Sequence, residues 1–271
     1  MSRFALRRPL VFSLLLALLL LGLMVVSRIP FPKAVVGDVG ELSPDQIQQP
    51  TEFEQAISSV QTAETLYLAL AVVLAIVLIS MFGWWREIGF NRPSSWRNLL
   101  LLWFPILVIV LTLSGGVRVS GPFFLGAILL AVSLESIGSE MLFRGVMWRT
   151  LAPGGLFRAM IFTSILSGGL TLVRTLSSGP WPEAVYLTLT ATCGGFTYAA
   201  IRWRTASLWP VIAIHLILAL SIDVAVVRMS VFPYLLLATT VGFIGYGIFL
   251  LRNQRVREDG GISVQEPARV R

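Results

Sequence analysis

The chain carries, at positions 139–148, the stretch Ser139-Glu140-Met141-Leu142-Phe143-Arg144-Gly145-Val146-Met147-Trp148, in which a carboxylate and a guanidinium stand four residues apart in an otherwise apolar run. On a helix this spacing places Glu140 and Arg144 on one face, within reach of each other. Charge at membrane depth is costly and marks functional or structurally paired positions. Two interpretations follow: a buried ion pair that ties helices together, or part of an intramembrane active site.

The composition around this stretch is that of a membrane protein. Of the 271 residues, 56% are hydrophobic and 13% are charged, with a mean hydropathy of +0.81, whereas a soluble chain carries about 25% charged residues. The single cysteine, Cys193, excludes a disulfide within the chain. One cysteine and one histidine are too few soft ligands for an ordinary zinc site, so we expect no metal and no cofactor.

Apolar runs of helix length predict an all-α fold, a polytopic membrane helix bundle of about eight transmembrane helices. The predicted spans are residues 9–26, 65–83, 99–116, 122–140, 157–173, 184–201, 207–225 and 233–251. The first run is long, and Val26-Ser27-Arg28-Ile29 is a poor cleavage site, so we interpret it as an uncleaved anchor rather than a signal peptide.

The basic residues predict the orientation of these spans. With eight spans and a cytoplasmic N-terminus, five of the 21 Lys and Arg residues face outward: Arg28, Lys33, Arg118, Arg174 and Arg228. The other 16, with Arg144 among them, then fall in cytoplasmic segments. Both termini are therefore predicted to be cytoplasmic, in the plasma (inner) membrane. This distribution accounts for the net charge of +7 without a nucleic-acid partner.

Three segments are predicted along the chain. Residues 1–64 form the transmembrane anchor and an external loop that is polar and acidic, and residues 65–251 form the helix bundle. Residues 252–271 form a cytoplasmic tail, basic at first and then mixed in charge. We expect the loop and the tail to be partly ordered at best.

Polar residues within the predicted spans are few, and any chemistry must come from them. They are Glu135, Ser139, Glu140, Arg144, Ser164, Ser167, Thr171, His215, Ser221 and Asp223. A lone buried histidine is more often a hydrogen-bonded packing residue than a catalyst. For His215 the catalytic interpretation gains weight, because the segment around it is apolar and offers no sequence neighbour as a partner.

Two of these segments resemble motifs of a known family. The segment from Ser139 to Gly145 is similar to the first motif of the CPBP (ABI) intramembrane proteases, Glu-Glu-x-x-x-Arg, and the segment from Arg204 to His215 resembles the approach to their third motif, His-x-x-x-Asn. That family includes the type II CAAX prenyl endopeptidases and bacteriocin-processing proteins. The resemblance extends from residue 95 to residue 225 and implies an intramembrane endopeptidase.

Three positions that the family assigns to chemistry depart from its pattern. The first glutamate of the first motif, the family's proposed general base, is Ser139; the histidine of the second motif, Phe-x-x-x-His, falls on Thr171; and the asparagine of the third falls on Ala219. General-base catalysis contributes about 10²–10⁴ in rate, and one oxyanion donor roughly 10²–10³. Glu135, one helical turn before Ser139, or a re-aimed Glu140 remains as an alternative base.

We therefore expect a CPBP-family, CAAX-protease-like intramembrane endopeptidase with a diverged active site and weak or no activity. The alternative is a catalytically inactive membrane binding or chaperone-like module for hydrophobic or lipidated peptides. The expected partners are membrane lipid and a hydrophobic or lipidated peptide or membrane-protein substrate. The resemblance assigns catalysis to Glu140, His215 and Arg144, with possible support from Glu135, Ser139 and Thr171. These residues should line one cavity that opens near Arg144.

Overall fold

The computed structural model describes residues 2–27, 63–93, 95–118, 121–176, 181–228 and 230–252. The predicted acidic loop, from residue 28 to 62, and the predicted tail from residue 253 onward lie outside these residues. The division of the chain into anchor, bundle and tail stays a prediction.

The described chain is helical almost throughout. Its α-helices are α1 (Ser2–Arg7), α2 (Pro9–Ser27), α3 (Ala63–Phe82), α4 (Trp103–Leu113), α5 (Pro122–Ser139), α6 (Trp148–Leu151), α7 (Leu156–Leu176), α8 (Trp181–Thr205), α9 (Trp209–Val224), α10 (Phe232–Leu237) and α11 (Phe243–Arg252). Two π-helices, Glu140–Met147 and Ala238–Gly242, and two 3₁₀ helices, Trp96–Leu102 and Ala152–Gly154, continue these elements. The described residues form no strand, only a single antiparallel bridge between Val117 and Ala225.

Six helical segments are long and apolar enough to cross a membrane. They are Pro9–Ser27, Thr65–Phe82, Leu125–Gly154, Leu156–Leu176, Trp181–Thr205 and Phe232–Arg252. The remaining two predicted spans are the shorter apolar helices Arg97–Leu113 and Trp209–Val224. The second has 16 residues, or about 24 Å, against a hydrocarbon core about 30 Å thick. The all-α membrane bundle is confirmed and the protein is an integral membrane protein, but the count of eight spans is not confirmed.

The helix that carries the 139–148 stretch is longer than its predicted span of 122–140. Leu125–Gly154 is continuous over 30 residues, so the predicted end of the span at residue 140 is not the end of the helix. Arg144 is 1% exposed and lies within the bundle. The prediction failed because it treated a basic residue as the end of a span, whereas here a buried carboxylate allows the charge to remain inside.

The two ends of the bundle are distinguished by their connections and their charge. At one end the turn before α9 meets the loop after α3, where Leu208 N–H donates to the Gly89 carbonyl at 2.8 Å. At the opposite end Val117 pairs with Ala225. The first end, called the basic end below, holds the helix ends and connections that carry Arg8, Arg86, Arg92, Arg149, Arg158, Arg202, Arg204 and Arg252.

Helices α7 and α8 approach each other closely at Gly168. A Cβ built on Gly168 would overlap Thr192 Oγ1 of α8 and lie 3.3 Å from the Thr188 carbonyl oxygen. The Thr192 hydroxyl itself donates to that carbonyl at 2.8 Å, which holds the side chain in place. The small residue therefore sets the distance between these two helices, as small residues do in membrane helix packing.

We expect Gly168→Ala to destabilise the protein by about 1–3 kcal/mol, the usual range for overpacking a well-packed site. Gly169→Ala is the matched control, since no described atom lies within 4 Å of a Cβ added there. Replacing this neighbouring helical glycine should be neutral or slightly stabilising. Thermal unfolding in detergent measures both variants. Equal melting temperatures would contradict the close α7–α8 approach.

Candidate functional site

A cavity of about 170 Å³ lies inside the bundle, bounded mainly by α3, α5, the first π-helix, α7, α8 and α9. Its polar lining consists of Tyr67, Glu135, Ser139, Glu140, Arg144, Ser167, Thr171, Arg174, Thr190, Tyr198, His215 and Asp223. All six residues proposed for the site are among them, and Ala219 also lines the cavity. Ser164 and Ser221 do not.

A short polar contact in this lining joins the first π-helix to α9. Glu140 Oε1 lies 2.7 Å from His215 Nδ1. Glu140 is fully buried, whereas the His215 side chain is 22% exposed. A carboxylate can only accept a hydrogen bond, so Nδ1 carries the hydrogen of this contact, and Nε2 takes no part in it. The structure thus joins two residues that lie 75 positions apart in the chain.

The second oxygen of Glu140 faces Arg144. Arg144 Nε lies 3.5 Å from Glu140 Oε2, and both side chains are excluded from solvent. The two residues lie in the π-helical turn Glu140–Met147, a wide helical form that is rare and is often found at functional sites. Among the described residues, neither Glu140 Oε2 nor Nε and Nη2 of Arg144 has a hydrogen-bond partner. The pair is therefore a buried ion pair with donors left over on the guanidinium.

Helix α8 makes room for the guanidinium through a glycine. A Cβ built on Gly195 would overlap Arg144 Nη2 and would lie 3.4 Å from Ser164 Oγ. The run Gly194-Gly195 was predicted to allow close helix approach. Here Gly195 admits a charged side chain, because any larger residue would occupy the volume of that side chain.

Tyr198 is a site residue that the sequence analysis missed. Its ring centroid is 5.3 Å from that of His215, it is 4% exposed, and it lines the cavity. The ring covers one side of the imidazole and limits its movement. The only signal in the sequence was the position of Tyr198 one turn after Gly194 on α8, which does not distinguish a site residue from a core aromatic.

The three altered motif positions share this cavity with Glu140 and His215. Ser139 Oγ donates to the Ser136 carbonyl at 3.4 Å, and Thr171 Oγ1 donates to the Ser167 carbonyl at 3.1 Å. Both hydroxyls are thus engaged with the backbone of their own helix, as is common for Ser and Thr inside helices. Ala219 contributes only a methyl group. None of the three supplies a base or a strong oxyanion donor.

Glu135 also lines the cavity, but its carboxylate forms an ion pair with Arg174. Its Oε1 lies 2.6 Å from Arg174 Nη2, with the two side chains 27% and 14% exposed. These values exceed the 1% of Arg144, so the more accessible charges lie at the end of the cavity away from the basic end. The prediction that the cavity opens near Arg144 was therefore wrong. The buried Glu140–Arg144 pair lies at the inner end of the cavity.

No group of three or more His, Cys, Asp or Glu side chains in the described part of the chain is placed to hold a metal ion. The chemistry available to the cavity is that of a buried carboxylate, an imidazole and a guanidinium. Such groups can hold a water molecule, move a proton or bind a carbonyl oxygen.

Comparison with known proteins gives a family for part of the chain. Residues 121–221 match the family model described as type II CAAX prenyl endopeptidase Rce1-like. The matched segment contains Ser139, Glu140, Arg144, Thr171 and His215. No curated protein and no solved structure matches the chain.

Proposed function

We propose that this chain, whose residues 121–221 match the Rce1-like family model, is a CPBP-family intramembrane endopeptidase with a diverged active site and weak or no activity. The observation that carries the proposal is the arrangement of one cavity. Glu140 and His215 form a 2.7 Å contact there. The same cavity is lined by Ser139, Thr171 and Ala219, which the resemblance places at three further catalytic positions.

The retained pair can still perform one part of hydrolysis. With Nδ1–H bound to the Glu140 carboxylate, His215 Nε2 can accept a proton from water, and Glu140 stabilises the imidazolium that results. The guanidinium of Arg144 faces the second oxygen of Glu140 and helps to position that carboxylate. Without an amide at position 219, the oxyanion loses a donor, which typically slows the reaction by roughly 10²–10³.

The test is cleavage of a hydrophobic peptide library by the purified protein in detergent, with products identified by mass spectrometry. The wild type is compared with His215→Ala. We expect the wild type to yield at most a few products, slowly, and His215→Ala to yield none of them. Rapid cleavage that His215→Ala leaves unchanged would contradict the assignment of the site.

A second candidate function is a catalytically inactive membrane binding or chaperone-like module for hydrophobic or lipidated peptides. It is favoured by the internal pairing of the lining charges, Glu140 with Arg144 and Glu135 with Arg174, which leaves an otherwise largely apolar surface for a ligand. Binding of a fluorescent prenylated peptide that is recovered uncleaved would support this candidate. Recovery of the peptide in two fragments would instead support the endopeptidase.

The orientation proposed here has both termini in the cytoplasm of an inner (plasma) membrane. The concentration of arginine at the basic end supports it, because basic residues are enriched on the cytoplasmic side. The polar segment from Asp38 to Glu64 then faces outward. Membrane lipid and a hydrophobic peptide or membrane-protein segment are the proposed partners.

Labelling of single cysteines from each side of the membrane tests this orientation. In a Cys193→Ser background, Asp45→Cys should react with an impermeant maleimide added outside, and the control Arg92→Cys, at the exposed basic end, should not. Reaction of Arg92→Cys from outside and of Asp45→Cys only after permeabilisation would show the opposite orientation.

A further inference from the structure

A second cavity, of about 260 Å³, lies at the basic end and is separate from the site described above. It is lined by Arg8, Pro9, Leu10, Val11, Leu151, Gly154 and Arg158. Arg8 precedes α2 and Arg158 lies in the first turn of α7. Both helices are membrane spans, so the two guanidinium groups lie where a span ends and lipid headgroups begin.

The described residues do not balance the positive charge of the two arginines. No carboxylate contributes to the lining of the cavity, and within the described residues neither Arg8 nor Arg158 forms an ion pair. The nearby Arg149 differs, since its Nε lies 2.6 Å from Glu87 Oε2. Arg8 and Arg158 are exposed, and the surface of the cavity is almost entirely apolar. They therefore line the cavity with their hydrocarbon stems, which leaves the guanidinium groups available to an anion at its edge.

The shape of the cavity adds an apolar component. Leu10 and Val11 on α2 and Leu151 on α6 supply a hydrocarbon wall below the two arginines. Leu151 is buried, while Val11 is exposed toward the membrane. An anion with an attached hydrocarbon chain can contact both the arginines and the apolar wall, whereas a free anion can contact only the arginines.

We infer that this cavity binds the phosphate headgroup of an anionic phospholipid, with Arg8 and Arg158 on the phosphate and an acyl chain along Leu10, Val11 and Leu151. Arginine forms paired hydrogen bonds to phosphate oxygens through its planar fork. Basic pockets between transmembrane helices at the cytoplasmic side are a recognised setting for such headgroups. The site does not depend on the proposed peptidase function.

The test uses the full chain in detergent and native mass spectrometry, with phosphatidylglycerol as the probe and phosphatidylcholine as the neutral competitor. The variant is Arg8→Gln/Arg158→Gln. The matched control is Arg92→Gln/Arg252→Gln, which removes the same charge from exposed residues of the same end. Each arginine near an anionic headgroup contributes about fivefold in affinity, so the variant should bind phosphatidylglycerol about 25-fold more weakly. The control should bind as the wild type does.

Several results would overturn the inference. Equal losses in the variant and the control would reduce the effect to general charge attraction. Equal binding of phosphatidylglycerol and phosphatidylcholine would show that the cavity does not recognise the negative charge of the lipid. Binding of inorganic phosphate in place of the lipid would show that the ligand is a free anion. Arg8→Lys/Arg158→Lys keeps the charge and the fold; it should recover part of the lipid binding, and failure to recover any would assign the loss to disturbed packing.

Discussion

The triple variant Ser139→Glu, Thr171→His and Ala219→Asn is expected to hydrolyse peptide bonds at least about 10²-fold faster than the wild type. All three positions line the cavity that holds Glu140 and His215, so the new carboxylate, imidazole and amide enter the same space. A positioned base contributes about 10²–10⁴ and one oxyanion donor roughly 10²–10³. We expect a gain in rate at the low end of these ranges because the surrounding residues are not arranged to orient the three new side chains.

The control for this gain is the same triple variant carrying His215→Ala. If the restored groups act with His215, the quadruple variant should fall back to the wild-type rate. Cleavage is measured in detergent with a quenched hydrophobic peptide and confirmed by mass spectrometry. A folded triple variant that cleaves no faster than the wild type would contradict the assignment of these positions to the chemistry.

Glu140→Gln is expected to lower the stability of the protein by about 3–5 kcal/mol, the usual loss when one partner of a buried ion pair is removed. Arg144 is 1% exposed, so its charge would remain buried beside a neutral amide. The substitution also weakens the 2.7 Å contact with His215. Thermal unfolding in detergent measures the effect as a fall in melting temperature.

Glu87→Gln is the matched control for this substitution. Glu87 lies closer to its arginine, 2.6 Å from Arg149 Nε, but its side chain is 46% exposed. Solvent screening limits such surface pairs to about 0–1 kcal/mol, so burial and not distance should decide the ranking. The double variant Glu140→Gln/Arg144→Met should recover much of the lost stability, because no uncompensated charge stays inside. Equal melting temperatures for Glu140→Gln and Glu87→Gln would show that the buried Glu140–Arg144 pair contributes no more to stability than the exposed pair does.

Much of the fold could be predicted because the membrane imposes strong constraints on sequence. Apolar runs of sufficient length specify helices, and each of the eight predicted spans overlaps a helix of the structure. Span ends were less predictable. Arg144 served as a boundary in the sequence, yet its helix continues to Gly154, because pairing with Glu140 allows the charge to stay inside.

The residues of the candidate site that belong to a sequence motif could be predicted, whereas those that helix packing brings to the site could not. Glu140, Arg144 and His215 were found through the resemblance, and the 2.7 Å Glu140–His215 contact joins two of the motifs. The place of Tyr198 against His215 depends on how α8 packs against α9, which no local pattern encodes. The pairing of Glu135 with Arg174 likewise links α5 to α7 across the cavity, and only the folded arrangement brings these charges together.

The most direct test of the diverged site is the turnover rate of the wild type on the peptide that the triple variant cleaves best. The wild type and His215→Ala are assayed side by side in proteoliposomes on that single substrate. The account predicts a wild-type rate at least about 10²-fold below that of the triple variant and close to the rate of His215→Ala. Wild-type turnover equal to that of the triple variant and abolished by His215→Ala would contradict it.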